Sequence, residues 1–366
     1  MSGLRLHRLS VRFGRSLALA PLDLEVARGE VVVIFGPSGA GKTVLLRAIA
    51  GLLPEAEGEI WIGGEELSAQ GPERRRVGMA FQNFALYPHL TARENIASPL
   101  RARRLPPAEV EARVGEIAAL LRIGHVLDHL PRALSNGQKQ RTALARALIG
   151  RPEVLLLDDP LRNVDAKLRY EMRLEFPRLL RESRAATLFV TQDYREAMAL
   201  GDRVAILREG RLVQCAPPAE IYDHPADTAI ARLFGDPPIN LLPAARRDEG
   251  GRIRVTVAGA ALDVPALPPG MAHFRLGLRP EALIPLPTAA PEALSVRVIA
   301  VTPLHERTVI LGHAPDGSEI VASLPRRDVV PGEILHLRPD PARLLFFDAE
   351  SGERIAAHTP LAEAVS

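Results

Sequence analysis

Val31–Thr43 reads VVVIFGPSGAGKT, and the rest of the chain is organised around it. Val31 to Phe35 are five consecutive apolar residues, the pattern of a strand buried on both faces of a parallel sheet. Gly36-Pro37-Ser38-Gly39-Ala40-Gly41-Lys42-Thr43 then satisfies G-x-x-x-x-G-K-[ST]. Val44, Leu45, Leu46, Ala48 and Ile49 continue as a helix, with Gly51 placed to end it. Strand, glycine loop and helix are the context in which this motif cradles phosphate. The glycines let backbone N–H groups curl around an anion, and the helix N-terminus adds its partial positive charge. Lys42 is expected to reach the β- and γ-phosphates of a nucleotide, and the Thr43 hydroxyl to ligate Mg²⁺.

Composition bounds the remaining possibilities. The 366 residues suggest two domains or three, and 47% apolar residues suffice for sizeable cores. A net charge of +2 gives no electrostatic argument for nucleic acid. The single cysteine, Cys215, excludes an internal disulfide and a cysteine-built metal site. The N-terminal MSGLRLHRLSVRFG lacks an apolar core of signal-peptide length. No apolar run approaches the about 18 residues needed to span a bilayer, so any membrane association is expected to come through a partner.

Leu4, Leu6, Leu9, Val11 and Phe13, then Leu22, Leu24 and Val26, alternate as half-buried antiparallel strands. Glu59–Ile62 reads as an edge strand before the Gly63-Gly64 turn, and Val77–Phe81 as a short strand ending at Gln82. From Pro88 to Gly150 the period becomes helical, with Val110, Val114, Ile117 and Leu121 on one face. Val154–Leu157, Leu188–Val190 and Val204–Leu207 return to buried strands, and Glu209-Gly210 is a hairpin turn. Between them Asp165 is placed to cap a helix carrying Leu168, Met172, Phe176 and Leu179, which Pro177 should kink or shorten. Near residue 236 the character changes. Beyond Asp236-Pro237-Pro238 only short alternating segments remain, among them Ile253–Val257, Phe274–Leu278, Ile320–Leu324 and Leu344–Phe346. That is the pattern of a small β-barrel or sandwich, with the domain boundary at about 236.

Leu134–Leu148 reads LSNGQKQRTALARAL, and Val154–Pro160 reads VLLLDDP. With the phosphate loop, in this order, these segments resemble the ATP-binding subunits of ABC transporters. The resemblance covers residues 4 to about 235. LGLRPEAL at 276–283 and LLFFDAESGERI at 344–355 resemble the regulatory TOBE, or OB-like, barrel of carbohydrate-import ATPases of the maltose type. The implied fold is an α/β P-loop ATPase over residues 1–235, with a mixed core sheet, an antiparallel β subdomain and a helical subdomain at about 88–150. A small all-β barrel follows over 236–366.

The resemblance also implies roles. Phe13 would stack on adenine, although the alternation alone continues it as a strand residue. Gly36, Pro37, Ser38, Gly39, Ala40, Gly41, Lys42 and Thr43 would hold the phosphates of ATP. Thr43, Gln82 and Asp158 would serve Mg²⁺. The segment after Gln82, FALYPHLTARENI, would receive membrane permease subunits. Ser135, Gly137 and Gln138, at the start of a helix, would complete the ATP site of a second ATP-binding subunit in a homodimer or heterodimer. A solute-binding protein would act indirectly. The chain would work peripherally at the cytoplasmic face of the plasma (inner) membrane. The cargo would be a sugar, polyol or glycerol derivative, with polyamine, iron and sulfate importers carrying similar barrels. A non-transport role on nucleic acid is disfavoured because no basic stripe is present.

Several positions depart from the family pattern. Asp159 stands where glutamate orients or deprotonates the attacking water, shortening the arm by about an ångström. Gln192, in VTQDYREAMAL, stands where histidine faces the γ-phosphate, and it carries no charge near neutral pH. Asn136 replaces a glycine, where its tolerance of left-handed backbone is expected to preserve the loop. Val44 replaces a hydroxyl residue and Arg162 a small one. With Lys42, Asp159 and Gln192 form the expected catalytic set. Two functions remain open: the energising ATPase of an importer, or a near-inactive nucleotide clamp regulating a more active partner.

Overall fold

The computed structural model describes residues 2–162, 164, 166–249, 252–264, 267 and 271–355. The chain divides into two compact units, up to Pro218 and from Ala219 onward.

The first unit opens with β1 (Ser2–Phe13) and β2 (Ser16–Ala27), paired antiparallel as their alternation dictates. β3 (Val31–Phe35) follows, buried at every residue, and leads through the phosphate loop into α1 (Lys42–Ile49). β4 (Ala56–Ile62) and the two-residue β5 (Glu65–Glu66) complete a four-stranded sheet in the order β2-β1-β4-β5. The strand expected at Glu59–Ile62 is therefore not an edge, because β5 caps it. β6 (Val77–Ala80) precedes three helices, α2 (Ala92–Ala102), α3 (Pro107–Leu120) and α4 (Asn136–Leu148). β7 (Val154–Asp158), α5 (Ala166–Ser183), β8 (Ala186–Thr191), α6 (Tyr194–Leu200), β9 (Arg203–Arg208) and β10 (Arg211–Ala216) close the unit.

The core sheet has the order β10-β9-β3-β8-β7-β6. All neighbours are parallel except β9 and β10, which turn antiparallel through Glu209 and Gly210 at φ of 51° and 73°. β3 lies centrally, with Phe35 opposite Thr191 on one side and Ile206 on the other. The carboxyl ends of β3, β8 and β7 thus stand side by side, where open parallel sheets bind ligands.

α5 runs from Ala166 to Ser183 through Pro177, which does not shorten it. Met172, Phe176, Leu179 and Leu180 are buried on its inner face, and Phe176 meets Phe189 edge-on at 6.0 Å. Burying four large side chains at about 1.5–3 kcal/mol each outweighs the about 3 kcal/mol a helical proline costs. Asp165, the expected cap, lies outside the described residues.

Arg75, 4% exposed, satisfies the far end of α1. Its guanidinium donates to the carbonyls of Ala48 and Ile49 at 2.8 and 3.0 Å, and to those of Ser68 and Gln70. The helix that carries the phosphate loop is pinned at both ends.

The second unit begins with the short helices α7 (Pro218–Asp223) and α8 (Thr228–Leu233). Its strands are β11 (Asn240–Glu249), β12 (Arg252–Val257), β13 (Ala260–Val264), β14 (His273–Leu278) and β15 (Leu283–Leu286). They continue with β16 (Leu294–Pro303), β17 (Arg307–His313), β18 (Glu319–Pro325), β19 (Ile334–Pro339) and β20 (Leu345–Asp348). They form two antiparallel five-stranded sheets, β13-β12-β11-β14-β20 and β15-β19-β16-β17-β18, around one barrel-like core. The change in sequence character near 236 marks where the strands begin. The compact unit starts earlier because α7 and α8 are tied to the barrel. Buried Arg279 donates to the carbonyls of Tyr222, Ala231 and Phe234, and its guanidinium lies 3.9 Å from the Tyr222 ring centre.

Candidate functional site

The loops following β3, β7 and β8 enclose an open cleft of about 550 Å³. Ser38, Gly39, Gly41, Lys42 and Thr43 line it from the phosphate loop, Asp158 and Asp159 from β7, and Gln192 from β8. Gln82 reaches it from the segment after β6. Residues expected from four separate stretches of sequence therefore meet in one place. Gly36 is required by close packing, since a Cβ there would stand 2.1 Å from the Leu207 carbonyl oxygen.

Lys42 is 6% exposed, and its Nζ donates to the carbonyls of Gly36 and Pro37 at 2.7 Å each. Burial pulls its pKa down, while the charges of Asp159 and Asp158 oppose that and Arg162 adds to it. The Thr43 hydroxyl donates to the Asp158 carboxylate, with 3.2 and 3.1 Å to its two oxygens. Burial raises the Asp158 pKa against that hydrogen bond. These two hard oxygen donors suit Mg²⁺, which takes few protein ligands and completes its shell with phosphate and water. Among the described residues no group of three or more His, Cys, Asp or Glu is arranged to hold a metal, so a nucleotide would have to supply part of any such shell.

Asp159 follows β7 in left-handed backbone at φ 47°, with its N–H donating to the Val190 carbonyl at 3.0 Å. It is 7% exposed. Burial lifts its pKa, the Arg162 guanidinium 3.6 Å away lowers it, and Asp158 raises it further.

Other expected residues fall elsewhere. Phe13 is 43% exposed beside the β1–β2 turn, so it is not a core residue. Its hairpin neighbours Ser16, Leu17 and Ala18 line the cleft. These, with Glu209 and Gly210 opposite, were not legible as site residues because nothing in their side chains announces phosphate chemistry. Ser135, Gly137 and Gln138 are not in the cleft. Ser135 caps α4, with its Oγ accepting from Gln138 N–H at 3.3 Å and Gln138 Oε1 accepting from Ser135 N–H at 2.9 Å. Asn136 is the first helical residue, so its tolerance of left-handed backbone is not used. At the other end of α4, Arg146 donates to the carbonyls of Phe84 and Ala85, fixing the segment after Gln82.

Behind Gln192 lies a buried acid. Glu196 is 2% exposed and accepts from the Thr191 hydroxyl at 2.6 Å. Burial pushes its pKa up to about 7, opposed by the Thr191 bond, reinforced by Asp193 and Asp159, and countered by Arg169. A folded pKa above the unfolded one favours the protonated acid. Its stability is complete below about pH 4.5 and is lost as pH rises through 7, a change on the order of 3 kcal/mol. Glu196→Gln should remove most of that loss. In thermal melts at pH 5 and 8.5 the variant should show a smaller gap between the two pH values than the parent, and equal gaps would refute this.

The family profile described as ABC transporter matches residues 19–162. The chain is 46% identical over 337 residues to the sn-glycerol-3-phosphate import ATP-binding protein UgpC of Cereibacter sphaeroides, covering 91% of this chain and 94% of that one. It is 41% identical over 366 residues to the protein of the same name from Ralstonia nicotianae, covering 98% and 100%. Among solved structures, the dimeric post-hydrolysis state of the ATP-binding cassette MJ0796, bound to ADP and Pi, is similar with a TM-score of 0.53 and 30% identity. That similarity covers 59% of this chain and 98% of the cassette. The phosphate loop, the carboxylates closing β7 and the barrel-bearing second unit agree with these relationships: the chain belongs to the ABC transporter ATP-binding subunits of the carbohydrate-import family, and it is an ATPase of that class.

Proposed function

We propose that this chain binds Mg·ATP between Lys42, Thr43 and Asp158, pairs with a second ATP-binding subunit, and hydrolyses ATP slowly at its own phosphate loop. The carrying observation is the contrast within one cleft. Of the holding groups, Lys42 and Asp158 are buried, Lys42 bonded to its own loop and Asp158 to the half-buried Thr43. The cleaving groups are a short carboxylate paired with Arg162 and an uncharged Gln192. The position of Ser135 and Gln138 outside the cleft supports a role for the α4 loop in a partner's site. In an asymmetric pair that loop completes the more active site.

The relatives' names favour glycerol 3-phosphate or a similar phosphorylated polyol as cargo. No described helix is long and apolar enough to cross a membrane. Permease subunits would therefore hold the chain at the cytoplasmic membrane face, and the half-exposed Tyr87 in FALYPHLTARENI favours that segment as their seat. The test is phosphate release by the purified chain alone and mixed with a second ATP-binding subunit that keeps the glutamate and histidine. A several-fold rise on mixing is expected. A brisk rate alone, unchanged by mixing, would overturn the asymmetric reading. Uptake of labelled glycerol 3-phosphate into vesicles carrying the permease subunits of a glycerol-3-phosphate importer together with this chain tests the cargo.

A further inference from the structure

Arg162 stands where the family carries a small residue, and the fold brings it to the nucleotide cleft. Among the described residues lining that cleft, Lys42 and Arg162 are the two cations, set against the carboxylates of Asp158, Asp159 and Glu209. Lys42 is already engaged by two carbonyls. Arg162 is engaged loosely. Its guanidinium is 3.6 Å from Asp159, an ion pair too long for a good hydrogen bond, and its side chain is 52% exposed. Its backbone, by contrast, is fixed. Its N–H donates to the Asp159 carbonyl at 3.3 Å, and Arg169 donates to its own carbonyl at 3.1 Å. A cation with a bonded backbone and a loosely paired head is suited to exchanging partners.

Arg162 also lines the adjoining hollow with Gln192, Thr191 and Glu196. It therefore shares a wall with the residue that replaces the family's histidine. Gln192 has no charge to offer a developing negative phosphate. The guanidinium fork is charged at every accessible pH and matches phosphate oxygens in pairs. Against Asp158, Asp159 and Glu209, the terminal phosphate of ATP adds negative charge that Lys42 and Mg²⁺ together do not fully balance.

Resting on the nucleotide-site reading above, we propose that Arg162 is a γ-phosphate contact of this site. It leaves Asp159 when ATP binds and supplies the positive charge that Gln192 lacks. The same exchange frees the Asp159 carboxylate to face the attacking water. Arg162 thus makes the cleft distinguish ATP from ADP.

The test uses the full chain with Mg²⁺ and fluorescent ATP and ADP analogues, comparing the parent with Arg162→Ser, Arg162→Lys and Arg162→Ser/Gln192→His. Arg162→Ser should weaken ATP binding about tenfold to a hundredfold and ADP binding less than about threefold. Arg162→Lys should recover part of the loss. Adding Gln192→His below pH 6.5 should recover more, because a protonated imidazole replaces the missing charge. Unchanged ADP binding by Arg162→Ser shows that the variant is folded. An unchanged ATP-to-ADP affinity ratio in Arg162→Ser would overturn the proposal. A parent that binds neither nucleotide would instead sink the site reading itself.

Discussion

Asp159→Glu should raise the phosphate-release rate of the purified chain about tenfold to a hundredfold. Two effects compete. On the proposed reading, the longer arm returns the carboxylate by about an ångström toward the attacking water, which lowers the barrier of the chemical step. The backbone resists, because residue 159 sits at φ 47°, where aspartate is better tolerated than glutamate. That strain, about 1 kcal/mol, is present in both the ground state and the transition state. It lowers the melting temperature and leaves kcat to the arm. The expected signature is a faster but slightly less stable enzyme, read by phosphate release and thermal melting on the same preparation. Gln192→His, added to Asp159→Glu, should raise the rate further because both groups act on one step. An unchanged rate in both variants would show that reach is not what limits hydrolysis here.

Arg279→Met should destabilise the second unit by about 3 kcal/mol. Methionine keeps much of the stem volume but leaves the carbonyls of Tyr222, Ala231 and Phe234 buried without their donor. Two of these lie at or just after the end of α8, where helix carbonyls have no partners of their own. Offsetting terms exist. The charge is relieved of burial, and Arg279 Nε has no partner among the described residues. The lost stacking on Tyr222 and the lost donor to three carbonyls are the larger sum. Arg279→Lys should recover little, because one nitrogen cannot stand at both places from which Nη1 and Nη2 reach those carbonyls. Trp61, the one tryptophan, lies in the first unit, so its fluorescence reports that unit. In urea, circular dichroism should fall earlier than Trp61 fluorescence in Arg279→Met. Coincident transitions at the parent's midpoint would refute the assignment.

The phosphate-loop unit was legible because local signals and tertiary structure agree there. Five apolar residues in VVVIF demand burial on both faces, and only a parallel strand flanked by helices provides it. The arginines that tie distant carbonyls were illegible for the opposite reason. Arg75, Arg146 and Arg279 read as ordinary surface charge in sequence, since arginine is seldom fully buried. Their carbonyl partners lie far along the chain, and nothing local reveals them. Pro177 misled because a proline's local cost is visible in sequence while the burial opposing it is not. In the barrel, β15 escaped notice at four residues with a proline inside, and β11 because its second half, ARRDE, shows no alternation. At the site the residue types were readable. The left-handed backbone of Asp159 and the loose pairing with Arg162 required the fold.

The two hydrogen bonds from Lys42 to its own loop have a further consequence. They hold the glycine loop in an anion-binding curve before any anion arrives, with the ammonium acting as an internal template. A nucleotide then meets a rigid receptor and has little chain disorder to remove, which favours affinity through preorganisation. Under the proposed Mg·ATP reading, binding is an exchange in which the ammonium turns from carbonyl oxygens to phosphate oxygens. On that reading, seating the ligand includes the release of a lysine from its own backbone.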